Sequence, residues 1–96
     1  MNAVQKLIEM ATKYGTVTKT DIWTNVDGEK YQFEDIQGPK HTPVYLKKAF
    51  EAAATEAAGK YYEVRFNAEG YSFFFDRNPF KSGLHGSVYI RKLIVF

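Results

Sequence analysis

The sequence contains no cysteine. This excludes a disulfide scaffold, a cysteine-based zinc site and a thiol nucleophile. It also has no apolar run near the roughly 20 residues that a membrane-spanning helix needs. Its N-terminal stretch places Glu9 inside an apolar pattern, which is untypical of a signal peptide. We therefore expect a soluble, cytoplasmic protein, and 96 residues predict one domain spanning 1–96.

Strong net charge is also lacking, because the chain carries only +2 at pH 7. Residues 60–96 hold six basic against three acidic side chains, whereas residues 1–59 hold seven against eight. The C-terminal part is thus mildly basic. This charge permits contact with an anionic partner without requiring one.

Aromatic residues are plentiful, at 17% of the chain, and two segments have helical periodicity. The spacing of Val4, Leu7 and Ala11 predicts a helix over 3–14, ending at Gly15. A second helix is predicted over 43–58, opened by a threonine cap followed by proline.

The other segments have strand-forming residues separated by turn signals. Two turns are predicted, at 25–28 and 67–70, and a loop at 78–86. The fold class is therefore α+β, with two helices packed on one face of a four- to five-stranded antiparallel sheet in the order αββαβββ. The predicted strands are 16–26, 29–36, 60–67, 71–77 and 87–96.

An internal repeat is one interpretation of this order. A shift of 42 residues aligns the turn at 25–28 with the turn at 67–70, and Phe33 with Phe75. The alternative is that any two αββ units share such a pattern. The alignment serves to predict which side chains share a face.

The stretch YSFFFD at 71–76 shows why the faces of the sheet matter. Neighbouring residues on a strand point to opposite faces, so Tyr71, Phe73 and Phe75 share one face and Phe74 lies on the other. Two helices can cover one face of a sheet but not both. We therefore expect Phe73 and Phe75 to pack under the helices and Phe74 to lie on an open face.

The same alternation assigns the remaining strands. On the last strand Val88, Ile90, Ile94 and Phe96 are expected inward, with Lys92 as a misfit. In the first hairpin the inward set is Ile22, Tyr31 and Phe33, which conflicts with Val17 and Trp23. The outward set of that hairpin includes Lys19, Trp23 and Lys30.

The predicted open face combines aromatic rings with arginines, as binding surfaces do. The alternatives are a dimer interface or a surface without function. The candidate binding residues are Trp23, Tyr61, Arg65, Phe74, Tyr89 and Arg91.

The apolar segment 92–96 is expected either inside the sheet or paired across a dimer, since unprotected edge strands pair with other chains. We expect the protein to bind its partner through this terminal strand or through the open face.

Catalytic chemistry finds little support in the sequence. His41 precedes the second helix, and His85 lies in a glycine-flanked loop near Ser82 and Ser87. A serine–histidine pair lacks a third orienting group here, and two distant histidines are too few for a metal site. We predict a non-enzyme without a metal or cofactor.

Two short segments resemble a known family. Val88–Leu93 resembles the short aromatic strand motif of RNA-recognition-motif domains, and Gly70–Phe75 resembles their longer motif, in reversed order. The resemblance implies binding of single-stranded RNA, in which bases stack on exposed rings.

The leading hypothesis is a small binding protein that engages a protein partner. Compact cysteine-free domains of this size are frequent among phage and mobile-element inhibitors of host systems, including anti-CRISPR and other anti-defence proteins. The alternatives are a single-stranded nucleic-acid binding module and a structural homodimer subunit.

Overall fold

The computed structural model describes residues 2–39, 44–59, 65–77 and 86–96. Within these residues, two helices and six strands follow one another as αβββαβββ, which confirms the α+β class with an antiparallel sheet. The elements are α1 Ala3–Tyr14, β1 Thr16–Lys19, β2 Trp23–Thr24, β3 Lys30–Gln37, α2 Val44–Ala58, β4 Arg65–Ala68, β5 Tyr71–Arg77 and β6 Gly86–Val95.

The sheet has the order β1-β3-β6-β5-β4, and the short β2 pairs with β3 beyond the end of β1. All pairs are antiparallel. The last strand β6 therefore lies in the middle, hydrogen-bonded to β3 on one side and β5 on the other. The start of the apolar segment 92–96 thus lies inside the sheet as expected, whereas residues 93–95 pair with β3 alone among the described strands.

Helix α1 begins where the sequence predicts, because Asn2 caps it. The Asn2 side chain accepts from the Gln5 amide at 2.8 Å, and the Gln5 side chain accepts from the Asn2 amide at 3.1 Å. Glu56 of α2 accepts from the Ala3 amide at 2.6 Å. A carboxylate here satisfies a free donor and complements the helix dipole, so it ties the start of α1 to α2.

Helix α1 ends against β3 at Gly15. A Cβ on this residue would collide with the carbonyl oxygen of Gln37 and would lie 2.6 Å from that of Ala11. Any residue can adopt the φ of −104° found at Gly15, so backbone conformation does not require glycine here. Glycine is required because the helix and the strand approach too closely for a side chain.

The core lies between the helices and one face of the sheet. Phe66 stacks on Phe73 at 4.5 Å between ring centroids, and Phe50 of α2 meets Phe66 edge-on at 5.2 Å. The buried apolar residues are Val4, Leu7, Ala11, Ile36, Leu46, Phe50, Ala53, Ala54, Phe66, Phe73, Phe75, Val88 and Ile90.

The expected facing of β5 is confirmed. Phe73 and Phe75 are buried under the helices, while Phe74 is half-buried on the opposite face. On β6, Val88 and Ile90 are buried as expected. The expectation for Phe96 is wrong, because it is exposed; the buried core does not extend past Ile90 on this strand.

The predicted first strand over 16–26 is instead two strands, because a bulge interrupts it. Lys19 lies opposite Glu34, and Trp23 lies opposite Tyr31. Between these pairs, the three residues 20–22 lie opposite the two residues 32–33. The Thr20 hydroxyl accepts from the Phe33 amide at 3.0 Å in place of a regular ladder bond. The extra residue turns the strand over, so Trp23 lies on the face opposite to Lys19.

The bulge corrects the predicted facing of the first hairpin. Residues directly opposite each other in an antiparallel pair share a face. Tyr31 pairs with Val95 and Phe33 with Leu93, whereas Ile36 pairs with the buried Ile90. Tyr31 and Phe33 were expected inward and in fact lie on the face away from the helices. The 42-residue alignment therefore does not transfer facing, since Phe33 and its counterpart Phe75 lie on opposite faces.

Both predicted turns form. Asn25 and Gly28 close the first by a backbone bond of 3.1 Å, and Glu69 and Gly70 form the second with φ of 53° and 81°. Positive φ at both central residues matches the twist of a two-residue hairpin, and glycine adopts it without strain.

The predicted residues at 40–43, 60–64 and 78–85 lie outside the described part of the chain. Neither α1 nor α2 is long and apolar enough to cross a membrane.

Candidate functional site

The sheet has one face that the helices do not cover, which we call the open face. Alternation along β3 and β6 puts Tyr31, Phe33 and Asp35 on this face, opposite Val95, Leu93 and Arg91. Further across, Tyr89 lies between Gln37 and Phe74, and Phe74 lies opposite Arg65. Open-face side chains thus form successive rows across the sheet.

Five of the six predicted binding residues lie on this face, and the structure brings four of them together. Arg65, Phe74 and Tyr89 occupy one row, and Arg91 lies two residues from Tyr89 on β6. Trp23 lies apart from them, near the opposite corner of the sheet. The sixth residue, Tyr61, lies outside the described residues.

The gap between Trp23 and the other four is filled by Tyr31 and Phe33, which the sequence prediction assigned to the core, and by Leu93, which it assigned to the open face. Trp23 stacks on Tyr31 at 4.6 Å between ring centroids. Phe33 and Leu93 form the next row, between Tyr31 and the Asp35–Arg91 row. The open face is therefore a continuous aromatic and aliphatic surface. The conflict of Val17 and Trp23 with the predicted facing of the first hairpin was the sequence signal that could have revealed the bulge and so these residues.

Two predicted basic residues of the open face lie elsewhere. Lys19 pairs with Glu34, and Lys30 pairs with Thr24, both on the other side of the sheet. The Lys19 ammonium lies 3.7 Å from the Glu34 carboxylate. Among the described residues, the open face therefore has fewer positive charges than the sequence predicts.

An ion pair crosses the middle of the open face. Arg91 donates through Nε to Asp35 Oδ1 at 2.7 Å and through a second nitrogen to Oδ2 at 2.9 Å. This two-point bond to Arg91 lowers the pKa of the Asp35 carboxyl, and the same bond raises the pKa of Arg91. Both groups therefore stay charged at neutral pH, and their charges largely cancel.

Arg91 also organises the rings around it. Its guanidinium carbon lies 4.3 Å from the centroid of Phe33 and 5.8 Å from that of Tyr89. Tyr89 in turn lies 5.8 Å from Phe74. Burial raises the pKa of the Tyr89 hydroxyl, and the neighbouring Asp35 carboxylate raises it further. Arg91 thus contacts two rings and a carboxylate, and Tyr89 extends this cluster to Phe74.

The helices leave one corner of the sheet uncovered on both faces. We call it the uncovered corner: β2, the turn at 25–28, the first half of β3 and the end of β6. No residue of 20–35 or 91–96 is buried. Its exposed large apolar residues are Ile22, Trp23, Val26, Leu93, Val95 and Phe96.

The uncovered corner is held by hydrogen bonds in place of a core. The Asn25 side chain accepts from the amides of Asp27 at 3.0 Å and Glu29 at 2.9 Å. The Tyr31 hydroxyl donates to Glu29 at 2.7 Å, and this bond raises the pKa of that hydroxyl. The Gln32 amide donates to the Thr20 carbonyl at 2.9 Å. These bonds fix an apolar surface that packing does not support.

Other candidate sites are weaker. Within the described residues, no three histidine, aspartate or glutamate side chains are placed to hold a metal ion. A shallow groove on the helices is lined by Lys6, Met10, Lys13, Tyr14 and Tyr45, among others. Its two tyrosines contact each other at 5.6 Å. The predicted histidine sites, at His41 and His85, lie outside the described residues.

Comparison with protein-family models, with curated proteins and with solved structures gives no match to this chain.

Proposed function

We propose that this protein is a non-enzymatic binding protein whose open face engages a protein partner. The observation that carries the proposal is a continuous apolar surface, with Trp23 and Leu93 exposed and with Tyr31, Phe33, Tyr89 and Phe74 half-buried between and beside them. Scattered apolar residues are ordinary on a protein surface, but a contiguous patch of this kind is typical of interaction sites.

The arrangement of polar groups favours a protein over a nucleic acid. Binding of phosphates needs positive charge that is not already neutralised. Arg91 is engaged by Asp35 at 2.7 Å, and Lys19 and Lys30 lie on the other side of the sheet, so Arg65 is the one other predicted cation on the described part of the open face. A rigid apolar surface with a fixed arginine–carboxylate pair at its centre is better suited to a protein interface, where aromatic anchors are surrounded by polar groups.

The position of β6 favours the open face over strand pairing. The backbone of β6 pairs with β3 from Tyr89 to Val95 on one side, and with β5 from Gly86 to Lys92 on the other. Addition of a partner strand requires a free edge. Where β6 is paired on both sides, at residues 89–92, a partner can reach it only through its side chains on the open face. Among the described strands, residues 93–95 pair with β3 alone.

The proposal is tested by affinity capture from a lysate of the source cells, with and without nuclease, followed by mass spectrometry. Binding of the purified partner is then measured for Leu93→Lys and Val17→Lys. These residues are equally exposed, at 44%, and both lie on strands, but Val17 is on the helix side of the sheet. We expect a nuclease-resistant partner whose affinity falls at least about tenfold with Leu93→Lys, because a buried ammonium would lose its hydration.

Three outcomes would contradict the proposal. Capture that nuclease abolishes would assign the face to nucleic acid. A dimer in sedimentation equilibrium that Leu93→Lys dissociates would assign it to self-association. Equal losses of affinity in Leu93→Lys and Val17→Lys would mean that the partner does not use the open face.

The narrower hypothesis, an inhibitor of a host system carried by a phage or mobile element, stays a prediction from size and composition. The same capture experiment tests it, since an inhibitor should retain a component of such a system.

A further inference from the structure

The hairpin of the uncovered corner presents an apolar tip. Val26 lies in the turn between β2 and β3 and is fully exposed. Beside it, Ile22 and Trp23 are also exposed. A fully exposed valine contributes nothing to the core, so its side chain is available for contact with another molecule.

The tip is also held in one conformation. Three amide groups and one carbonyl bond to Asn25: the amides of Asp27, Gly28 and Glu29, and the Glu29 carbonyl. Stacking of Trp23 on Tyr31 fixes the base of the hairpin. A rigid projection loses little conformational entropy when it is bound, which favours insertion into a preformed cleft.

The charge around this tip is of one sign. Residues 20–32 contain Asp21, Asp27 and Glu29 against Lys30 alone, a net charge of −2 in a chain whose net charge is +2. All four side chains are exposed. Acidic groups around an apolar tip attract a surface rimmed by cations, and they repel nucleic acid and anionic lipid.

On the premise of the proposed function, we propose that the β2–β3 hairpin inserts Val26 and its apolar neighbours into a cleft of the partner protein that is apolar inside and rimmed by lysine and arginine. The acidic side chains meet that rim. The apolar residues displace water from the cleft and hold the complex. The middle of the open face, around Phe33 and Leu93, then covers the partner beside the cleft.

The test uses the full chain labelled with ¹⁵N and a synthetic amphipathic peptide of leucine and lysine, which stands in for an apolar surface with basic groups. The matched probe has glutamate in place of every lysine. We expect the lysine peptide to shift the amide signals of residues 21–31, with an affinity that falls as salt is raised. We expect the glutamate peptide to leave those signals unchanged at the same concentration.

Three variants assign the roles. Asp27→Lys should lower the affinity for the lysine peptide at least fivefold, because it replaces an attractive charge with a repulsive one. The hydrogen bond that the Asp27 backbone amide donates to the Asn25 side chain survives the substitution. Glu9→Lys, at an exposed position of α1, makes the same change of charge and should alter the affinity less than twofold. Val26→Ser should lower it at least threefold without changing the charge.

The inference is overturned by any of four results. The first is no shift of the amide signals at millimolar lysine peptide, and the second is shifts confined to residues outside 21–31 and 93–96. The third is an equal response of these signals to the glutamate peptide or to oligodeoxythymidine. The fourth is a shift of the hairpin signals on simple dilution, which would assign the tip to a second copy. In each case the proposed function still stands if Leu93→Lys, but not Val17→Lys, lowers the affinity for the captured partner.

Discussion

Strands β3 and β6 each run through two different environments. At one end, Ile36 and Ile90 lie opposite each other, buried beneath the helices. At the other end, Tyr31 and Val95 lie opposite each other in the uncovered corner, where no residue is buried. The same ladder of backbone bonds joins the two ends, but only one end is supported by packing.

This difference shows which interactions maintain each region. The covered end depends on apolar burial, which scales with the area removed from water. The uncovered corner depends on hydrogen bonds of Asn25 and Thr20, and the Asp35–Arg91 pair borders it in the middle of the open face; these contribute specific geometry and little net stability. Substitutions at the two ends should therefore separate loss of fold from loss of binding.

The largest effect is expected from Phe73→Ala at the covered end. Removal of a fully buried phenylalanine should lower the free energy of unfolding by about 3–5 kcal/mol. The matched substitution is Phe33→Ala on the open face, where the ring is only half-buried beside Arg91 and the loss should be about 1 kcal/mol. Urea denaturation of the two variants measures both values.

Equal losses in these two variants would contradict the division into a packed and an open face. Failure of Phe73→Ala to fold at all agrees with the prediction, because small domains have only about 5–15 kcal/mol in reserve. In that case Phe73→Leu gives a measurable intermediate value.

A smaller effect is expected from Gly15→Ala, where α1 meets β3. The added methyl group would collide with the Gln37 carbonyl, so the helix end or the strand must shift, at a cost of about 1–3 kcal/mol. Gly28→Ala is the control, since no atom lies within 4 Å of its Cβ and only its φ of +80° opposes the change. Thermal unfolding should rank Gly15→Ala as the more destabilised; the opposite order would mean that α1 does not end against β3.

The ion pair of the open face gives a pH dependence of known sign. The pKa of Asp35 is lowered in the folded state by its bond to Arg91, so its contribution is present above the ordinary carboxyl pKa of about 3.9 and is lost as the pH falls through the folded value. Asp35→Asn should therefore cost about 1 kcal/mol at pH 7 and progressively less below pH 4. A difference between variant and wild type that grows on acidification would contradict the assigned pair.

The smallest effects on stability are expected in the uncovered corner. Trp23→Ala removes one ring stacking interaction, worth about 0.5–1.5 kcal/mol, and Val26→Ser should change the free energy of unfolding by less than about 0.5 kcal/mol. Chemical denaturation checks both values. A loss of several kcal/mol in Val26→Ser would mean that the hairpin tip packs against the fold.

The sequence predicts the packed end of the molecule better than the open end. Helix α1, the inward facing of Phe73 and Phe75, and the outward facing of Phe74 follow from periodicity, because burial selects the residue at each position. Tyr31 and Phe33 were assigned to the wrong face because a single bulged residue reverses alternation, and apolar residues on an open face mimic a core pattern. Pairing of Arg91 with Asp35 depends on register between strands far apart in sequence, which local patterns do not specify.

Hydroxyl-radical footprinting of the protein, alone and bound to its captured partner, tests the central claim most directly. Trp23, Tyr14 and Tyr45 have nearly equal exposure, at 45%, 46% and 48%, but Trp23 lies on the open face and the two tyrosines lie on the helices. We predict similar accessibility of all three residues in the isolated protein, and protection of Trp23 alone in the complex. Protection of Tyr14 and Tyr45 with Trp23 unchanged would place the partner on the helices and contradict the account.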